Sequence, residues 1–325
     1  MEKTKQSVSL FTNGIIDYAG LFPPAKLDLS TSFNNFRDYL AGEYADILSR
    51  FICPAKLLPE LRKLINNIQE DIPDIYLSII LTASDTFENF KINLNSDMEL
   101  LKDFRNELSA KVNTDCFEYR IPEDIISSHD KDRIIDFLKY TSDNSVADPG
   151  LKSGFYCECI LGEDWKKNIA GMTDAIEIHN EEYSDTGFKL RTGGVTAEAI
   201  PSSEQITYAI RHCLNRNLEM KFTAGLHHPF RHFDEGIGTK MHGFVNVFSA
   251  GIISKRHNIS DIEMEKLLED ESPDNFKFTE NGFTWKGFEL ENKDIHFART
   301  TFVRSFGSCS FDEPLDDLKK LKLII

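Results

Sequence analysis

From about residue 48 onward, short apolar runs of strand character alternate with longer stretches of helical period, which limits the chain to folds built from βαβ units. The runs are SRFIC (49–53), IYLSIILT (75–82), CFEYRI (116–121), FYCECIL (155–161), GFKLRTGG (187–194) and EMKFTAG (219–225). Each begins about 25 to 40 residues after the one before, the size of one βαβ step. The intervening segments carry helix signals. Leu58, Leu61, Leu64, Ile65 and Ile68 recur at helical spacing, with Pro59 in the first turn. Ser202 and Gln205 have capping-box spacing ahead of the face formed by Ile206, Ile210, Cys213 and Leu214.

At 325 residues the expected architecture is α/β, a TIM-like (β/α)8 barrel filling the whole chain (1–325) as a single domain. Residues 1–45 would form an N-terminal cap or loop, because IIDYAGLFPPA (15–25) is too rich in Gly and Pro for regular structure. The alternation fails beyond residue 226. There an apolar run (243–253), an acidic helix (260–270) and a small β-hairpin at NGFTWKGFELE (281–291) imply an insertion over about 255–291. A helix at about 292–305 leads into SFGSCSF, and Leu315, Leu318 and Leu321 mark a final helix. Strands seven and eight are hard to place, so an open doubly wound α/β sheet is the alternative.

The bulk composition narrows the function. Lys and Arg number 37 against 53 Asp and Glu, a formal charge of -16 that repels a phosphate backbone, so nucleic acid is excluded as a partner. A small anionic substrate, phosphorylated or carboxylated, remains compatible if basic residues gather locally. Six scattered cysteines without a CxxC pair read as reduced thiols, and no apolar leader or membrane-length run is present. These features predict a cytoplasmic protein without a membrane partner, compatible with a homo-oligomer.

Buried parallel strands should be apolar on both faces, yet polar residues recur here at alternate positions. Phe188 and Leu190 alternate with Lys189 and Arg191, and Met220 and Phe222 with Lys221 and Thr223. Phe117, Tyr119 and Ile121 alternate with Glu118 and Arg120, while Glu158 interrupts FYCECIL and Arg50 interrupts the first run. With the apolar set facing the helices, opposite charges point into the barrel, as in an enclosed active site. Lys189 and Lys221 are 221 − 189 = 32 positions apart, one βαβ unit, which sets them side by side at one level. Burial and a neighbouring ammonium both lower a lysine pKa, so Lys189 is expected to be a neutral nucleophile with Lys221 depressing it.

Three runs in order resemble the deoxyribose-phosphate aldolase family of Schiff-base barrels. KLRTG (189–193) is similar to its Lys-x-x-Thr-Gly strand, whose lysine forms the imine. KFTAG (221–225) is similar to the next strand's Lys-x-Ser-Gly-Gly, whose lysine perturbs the first, and RSFGSCS (304–310) is similar to the phosphate-holding Arg-Phe-Gly-x-Ser-Ser loop. The resemblance covers about a quarter of the chain. The family's catalytic aspartate has no matched position, and the interval from Lys221 to Gly307 exceeds one barrel step. Over its whole length, through DYAGLFPPA, KLRTGG, TAGLHHP and FGSCSFDEP, the chain resembles an uncharacterised bacterial family.

Together these readings predict a lyase, a Schiff-base aldolase needing no cofactor, with Lys189 and Lys221 catalytic and Glu158, His227 or His228 moving protons. Substrate and its anionic group would contact Arg50, Arg120, Arg191, Thr192, Gly193, Gly194, Thr223, Arg304, Gly307, Ser308 and Ser310. Two alternatives stay open. His227, His228, His232 and His242, beside Asp234 and Glu235, would bind a divalent metal such as zinc in a metal-dependent lyase or hydrolase. The barrel would otherwise be a non-catalytic small-ligand-binding protein.

Overall fold

The computed structural model describes residues 3–68, 73–106, 112–145, 154–183 and 186–325. Among them, eight strands close into one parallel barrel. They are β1 (Ile16–Tyr18), β2 (Leu48–Pro54), β3 (Ile75–Ile80), β4 (Val112–Arg120), β5 (Gly154–Glu158), β6 (Thr186–Arg191), β7 (Met220–Thr223) and β8 (Val303–Ser308). Ile16 is in register with both Phe306 of β8 and Leu48 of β2. A doubly paired first strand leaves no open edge, so the chain is a (β/α)8 barrel and not an open sheet.

The six expected strands are present, and helices with the anticipated faces cover them. In Ser203–Asn215, the Gln205 N–H donates to Ser202 Oγ (3.2 Å) while the Ser202 N–H donates to Gln205 Oε1 (2.7 Å). That helix buries Ile206, Ile210 and Cys213 against the barrel. Helix Leu58–Asn66 likewise buries Leu58, Leu61 and Ile65.

The two ends of the chain differ from expectation. IIDYAGLFPPA was expected to be irregular, but its first part supplies β1, and the Gly- and Pro-rich part begins only after Tyr18. The region expected to be one helix at 292–305 is a helix, Asn292–Thr301, followed by β8. The apolar run at 243 onward is helix Phe244–Arg256, packed so closely on β8 that a Cβ at Gly251 would lie 2.5 Å from Val303 Cγ1.

The expected hairpin is a three-stranded antiparallel sheet, Phe276–Phe278, Gly282–Trp285 and Phe288–Glu291. It packs near the N-terminal helix Gln6–Thr12, where Ser7 Oγ donates to the Thr279 carbonyl (2.6 Å). A second small ribbon, His232–Asp234 with Thr239–Met241, follows β7 and rises over the carboxyl end of the barrel. Among the described residues no helix is long and apolar enough to cross a membrane.

Candidate active site

Alternation along the strands sends one set of side chains into the barrel, and here that set is charged. Glu158, Lys189 and Lys221 stand in register on β5, β6 and β7. Room for them comes partly from Gly187, where a Cβ would meet the Tyr156 ring at 2.6 Å. The ring in turn lies 5.2 Å beneath the Lys221 ammonium, in cation–π range.

Glu118 joins the two lysines. Its Oε2 accepts from Lys189 Nζ at 2.8 Å and its Oε1 from Lys221 Nζ at 2.5 Å, and Ser78 Oγ donates to Oε1 at 2.6 Å. Lys189 also donates to Glu158 Oε2 (2.9 Å), and Lys221 to Asp17 Oδ2 (2.8 Å). Asp17 is held by Ser305 Oγ (2.6 Å) and the Arg50 N–H (3.2 Å). Three carboxylates thus surround two ammonium groups in a site where Lys189 is 4% exposed and Lys221 1%. Charges so deeply buried persist only when paired and hydrogen-bonded, as every member of this cluster is.

The electrostatics correct one expectation. Burial pulls the Lys189 amine down, but Glu118 and Glu158 outweigh it and hold the amine above the ordinary lysine range. Burial acts the same way on Lys221, where Asp17, the Cys116 sulfur and Glu118 prevail and raise it well above that range. For Glu118 burial pushes upward, and the two lysines override it and keep the carboxyl well below its usual value. Lys221 therefore does not render Lys189 neutral at rest, because a carboxylate sits between the two ammonium groups.

Above the cluster opens a cavity of about 600 Å³ at the carboxyl ends of the strands. Lys189, Glu118 and Glu158 form part of its lining, whereas Lys221 and Asp17 lie beneath. Arg120, Arg191, Gly194, Thr223, Gly307, His227 and His228 also line it, as the sequence anticipated. Arg120 pairs with Asp85 (3.1 Å). Arg191 donates through Nε to the Gly193 carbonyl (3.0 Å) and stands 4.0 Å from Glu158. His227 pairs with Glu313 (3.1 Å) and His228 with Asp317 (2.5 Å), which ties the loop after β7 to the C-terminal helix Asp312–Lys320.

Other expected contacts are elsewhere. Arg304 forms its ion pair with Glu219 (3.5 Å), which immediately precedes β7, at the amino-terminal end of the barrel. Arg304 is three positions from Gly307, and Gly307 lines the cavity at the other end of the strand. Arg50 makes a two-pronged pair with Asp115 (2.9 and 2.7 Å) outside the cavity lining. Ser308 Oγ donates to the Ser310 carbonyl, and Ser310 Oγ accepts the Glu313 N–H, so both hydroxyls shape the turn into the last helix. Thr192 Oγ1 donates to the Thr223 and Ala224 carbonyls (3.1 and 2.7 Å), and Gly193 packs on Gly225, so both fasten loops together.

The four-histidine metal set is not assembled. His242 is buried between the Pro201 carbonyl (2.7 Å) and Arg231 (3.2 Å), both ring nitrogens occupied. Among the described residues no group of three or more His, Cys, Asp or Glu side chains is placed to hold a metal ion.

Asp17, Ser78 and Ser305 were not singled out from the sequence, and Glu118 was noted only as part of the alternation. The signal that finds them is the same one: Asp17 interrupts the apolar run IIDY as Glu158 interrupts its own.

Fold and site together define a closed (β/α)8 barrel with an ionised cluster at its carboxyl end. No family model matches the chain, and no curated protein matches it. Among solved structures, the tetrameric deoxyribose phosphate aldolase from Aeropyrum pernix is similar with a TM-score of 0.49 and 9% identity, covering 98% of this chain and 94% of that one. At that identity and score the likeness carries no statement about activity, and the barrel assignment rests on the strand pairing above. The resemblance to a bacterial family over the whole chain has no counterpart in these comparisons.

Proposed function

We propose that the chain is an aldolase-type lyase that makes or breaks a carbon–carbon bond through an imine on Lys189. The observation that carries this reading is Lys189 itself: a lysine lining a half-open cavity, in contact with two carboxylates and backed by a second lysine one strand away. A purely structural ion pair has no need of a cavity above it.

The chemistry follows from the contacts. A carbonyl compound entering the cavity meets an ammonium group, and proton transfer within the pair to Glu158 frees the amine. The nitrogen attacks the carbonyl carbon, the carbinolamine oxygen takes up a proton, and water leaves to give a protonated imine. A base takes the proton of the hydroxyl on the β carbon, the bond between the α and β carbons breaks to release that carbon as a carbonyl compound, the first product, and the bond's electron pair passes into the imine to give an enamine. Protonation of the enamine carbon and hydrolysis then release the second product and restore the amine. His227 and Glu158 are the cavity-lining groups suited to deliver these protons. Lys221 stays charged and holds Glu118 and Asp17 in place.

Borohydride reduction in the presence of a carbonyl substrate, followed by intact-mass and peptide analysis, tests the proposal. The expected result is a substrate-derived adduct on Lys189 that is lost in Lys189→Ala and insensitive to chelators. An adduct on another residue, or full turnover in Lys189→Ala, overturns it.

A further inference from the structure

Resting on the imine reading, we infer that this cavity takes an unphosphorylated carbonyl compound with an uncharged, apolar tail. The groups that would hold a phosphate are turned to other tasks. Arg304 lies at the opposite end of the barrel with Glu219, and the Ser308 and Ser310 hydroxyls are engaged within their own turn. The helix that follows begins with Asp312 and Glu313. Acidic side chains in a first turn neutralise the partial positive charge that would otherwise draw an anion to a helix N-terminus. Glu313 also faces the cavity, paired with His227.

The remaining charge is unfavourable for a dianion. Four carboxylates line the cavity, Glu118, Glu158, Asp234 and Glu313, against three fixed cations, Lys189, Arg120 and Arg191, a balance of 3 − 4 = −1 among the described residues. Lys189 is shared by two carboxylates and Arg120 is paired with Asp85. Arg191 is also partly engaged, and its side chain is 52% exposed at the rim. Within the short range that screening allows, a phosphate carrying nearly two negative charges meets more carboxylates than cations.

Apolar atoms supply the rest of the wall. Phe22, Pro23 and Pro24 from the loop after β1 line it together with Val195, Ile237 and Met241 from the segments after β6 and β7, and Val195 is 69% exposed. A cleft walled in this way recognises a hydrocarbon chain by removing it from water. Each buried methylene strengthens binding about fourfold.

The test measures the concentration needed for half-maximal borohydride labelling of Lys189 by acetaldehyde, butanal, hexanal, glyceraldehyde and glyceraldehyde 3-phosphate, read on the Lys189 peptide. The expected result is about a fourfold fall per added methylene from acetaldehyde to hexanal. Glyceraldehyde 3-phosphate should need at least about tenfold more than glyceraldehyde. Labelling of Lys189 with no chain-length dependence, or best by the phosphorylated aldehyde, overturns the substrate inference and leaves the imine reading standing. Absence of any Lys189 adduct overturns the imine reading instead. In that case calorimetry with 1-hexanol and with inorganic phosphate, neither of which forms an imine, decides the cavity's preference. Hexanol binding supports the apolar site, and phosphate binding more tightly than hexanol refutes it.

Discussion

Replacing Glu118 by Gln tests the electrostatic core most directly, because this one carboxylate contacts both lysines. Glu118 lies 2.8 Å from Lys189 Nζ and 2.5 Å from Lys221 Nζ, and its side chain is 2% exposed, so solvent screening is minimal. Loss of one partner from a buried ionic cluster costs about 3–5 kcal/mol, since the remaining charges stay desolvated. The two ammonium groups, on neighbouring strands roughly 5 Å apart, then lose the carboxylate they share and keep only Glu158 and Asp17 as their separate partners. At an effective dielectric constant near 20 their repulsion is about 332/(20 × 5), roughly 3 kcal/mol, or about 2 pKa units. Lys189 should therefore fall toward the ordinary lysine range, with Glu158 still in contact. Urea unfolding measures the first effect, and the pH dependence of Lys189 alkylation, followed by mass spectrometry, measures the second. The labelling midpoint is expected to move down by at least about 2 units. A midpoint that does not move, in a protein that remains folded, would show that Glu118 does not set the charge of Lys189. Glu158→Gln, at a more accessible position, is expected to lower the midpoint by a smaller amount.

Three further outcomes are expected from the same buried groups. His242 is depressed by burial to about 4, so stability is full above its unfolded value near 6.5 and declines as pH falls toward 4; acid titration of unfolding should show a loss of about 3 kcal/mol that His242→Gln largely removes. Lys189 and Lys221 are raised, so their contribution is complete below the unfolded lysine value near 10.4 and is lost only as pH climbs beyond it; stability measured from pH 8 to 10 should change little from this source. Gly187→Ala drives a Cβ to 2.6 Å from the Tyr156 ring and 3.0 Å from the Glu219 carbonyl, and thermal unfolding should report a loss of about 1–3 kcal/mol.

The interior of the barrel was more legible than its ends, for reasons visible in individual residues. β4 to β7 carry apolar side chains toward the helices and charges inward, so the period of two survives in the sequence and puts Lys189 beside Lys221. β1 is only three residues long and runs directly into Gly20, Pro23 and Pro24, whose turn character masks it. β8 reads as VRSFGS, where small polar residues occupy inward positions, and it follows β7 after 303 − 223 = 80 positions of ribbon, helices and added sheet. The partners of the lysines were hidden by distance along the chain. Asp17 and Lys221 are 221 − 17 = 204 positions apart and meet only when the barrel closes. Arg304 was expected beside Gly307 from the likeness of RSFGSCS to a phosphate-holding loop, although a strand carries residues three positions apart roughly 10 Å along its length, and here Arg304 ends beside Glu219.

The charged resting state of Lys189 bears on catalysis differently from an amine made neutral by repulsion. A protonated imine carries its positive charge at the nitrogen that held it as ammonium. Glu118 and Glu158, which stabilise the ammonium at 2.8 and 2.9 Å, are therefore already oriented toward the charge of the intermediate. The neutral amine, which has to appear briefly for attack, is the species this cluster disfavours. A surrounding built for the cationic form lowers the energy of the imine relative to that neutral amine, in the sense that preorganised charges act best where charge develops. The same surrounding slows the first step, since freeing the amine requires moving a proton to a carboxylate. Under the proposed imine reaction, imine formation and not carbon–carbon cleavage would limit turnover near neutral pH, and a Glu118→Gln variant that remains folded should form the imine faster while holding it less tightly.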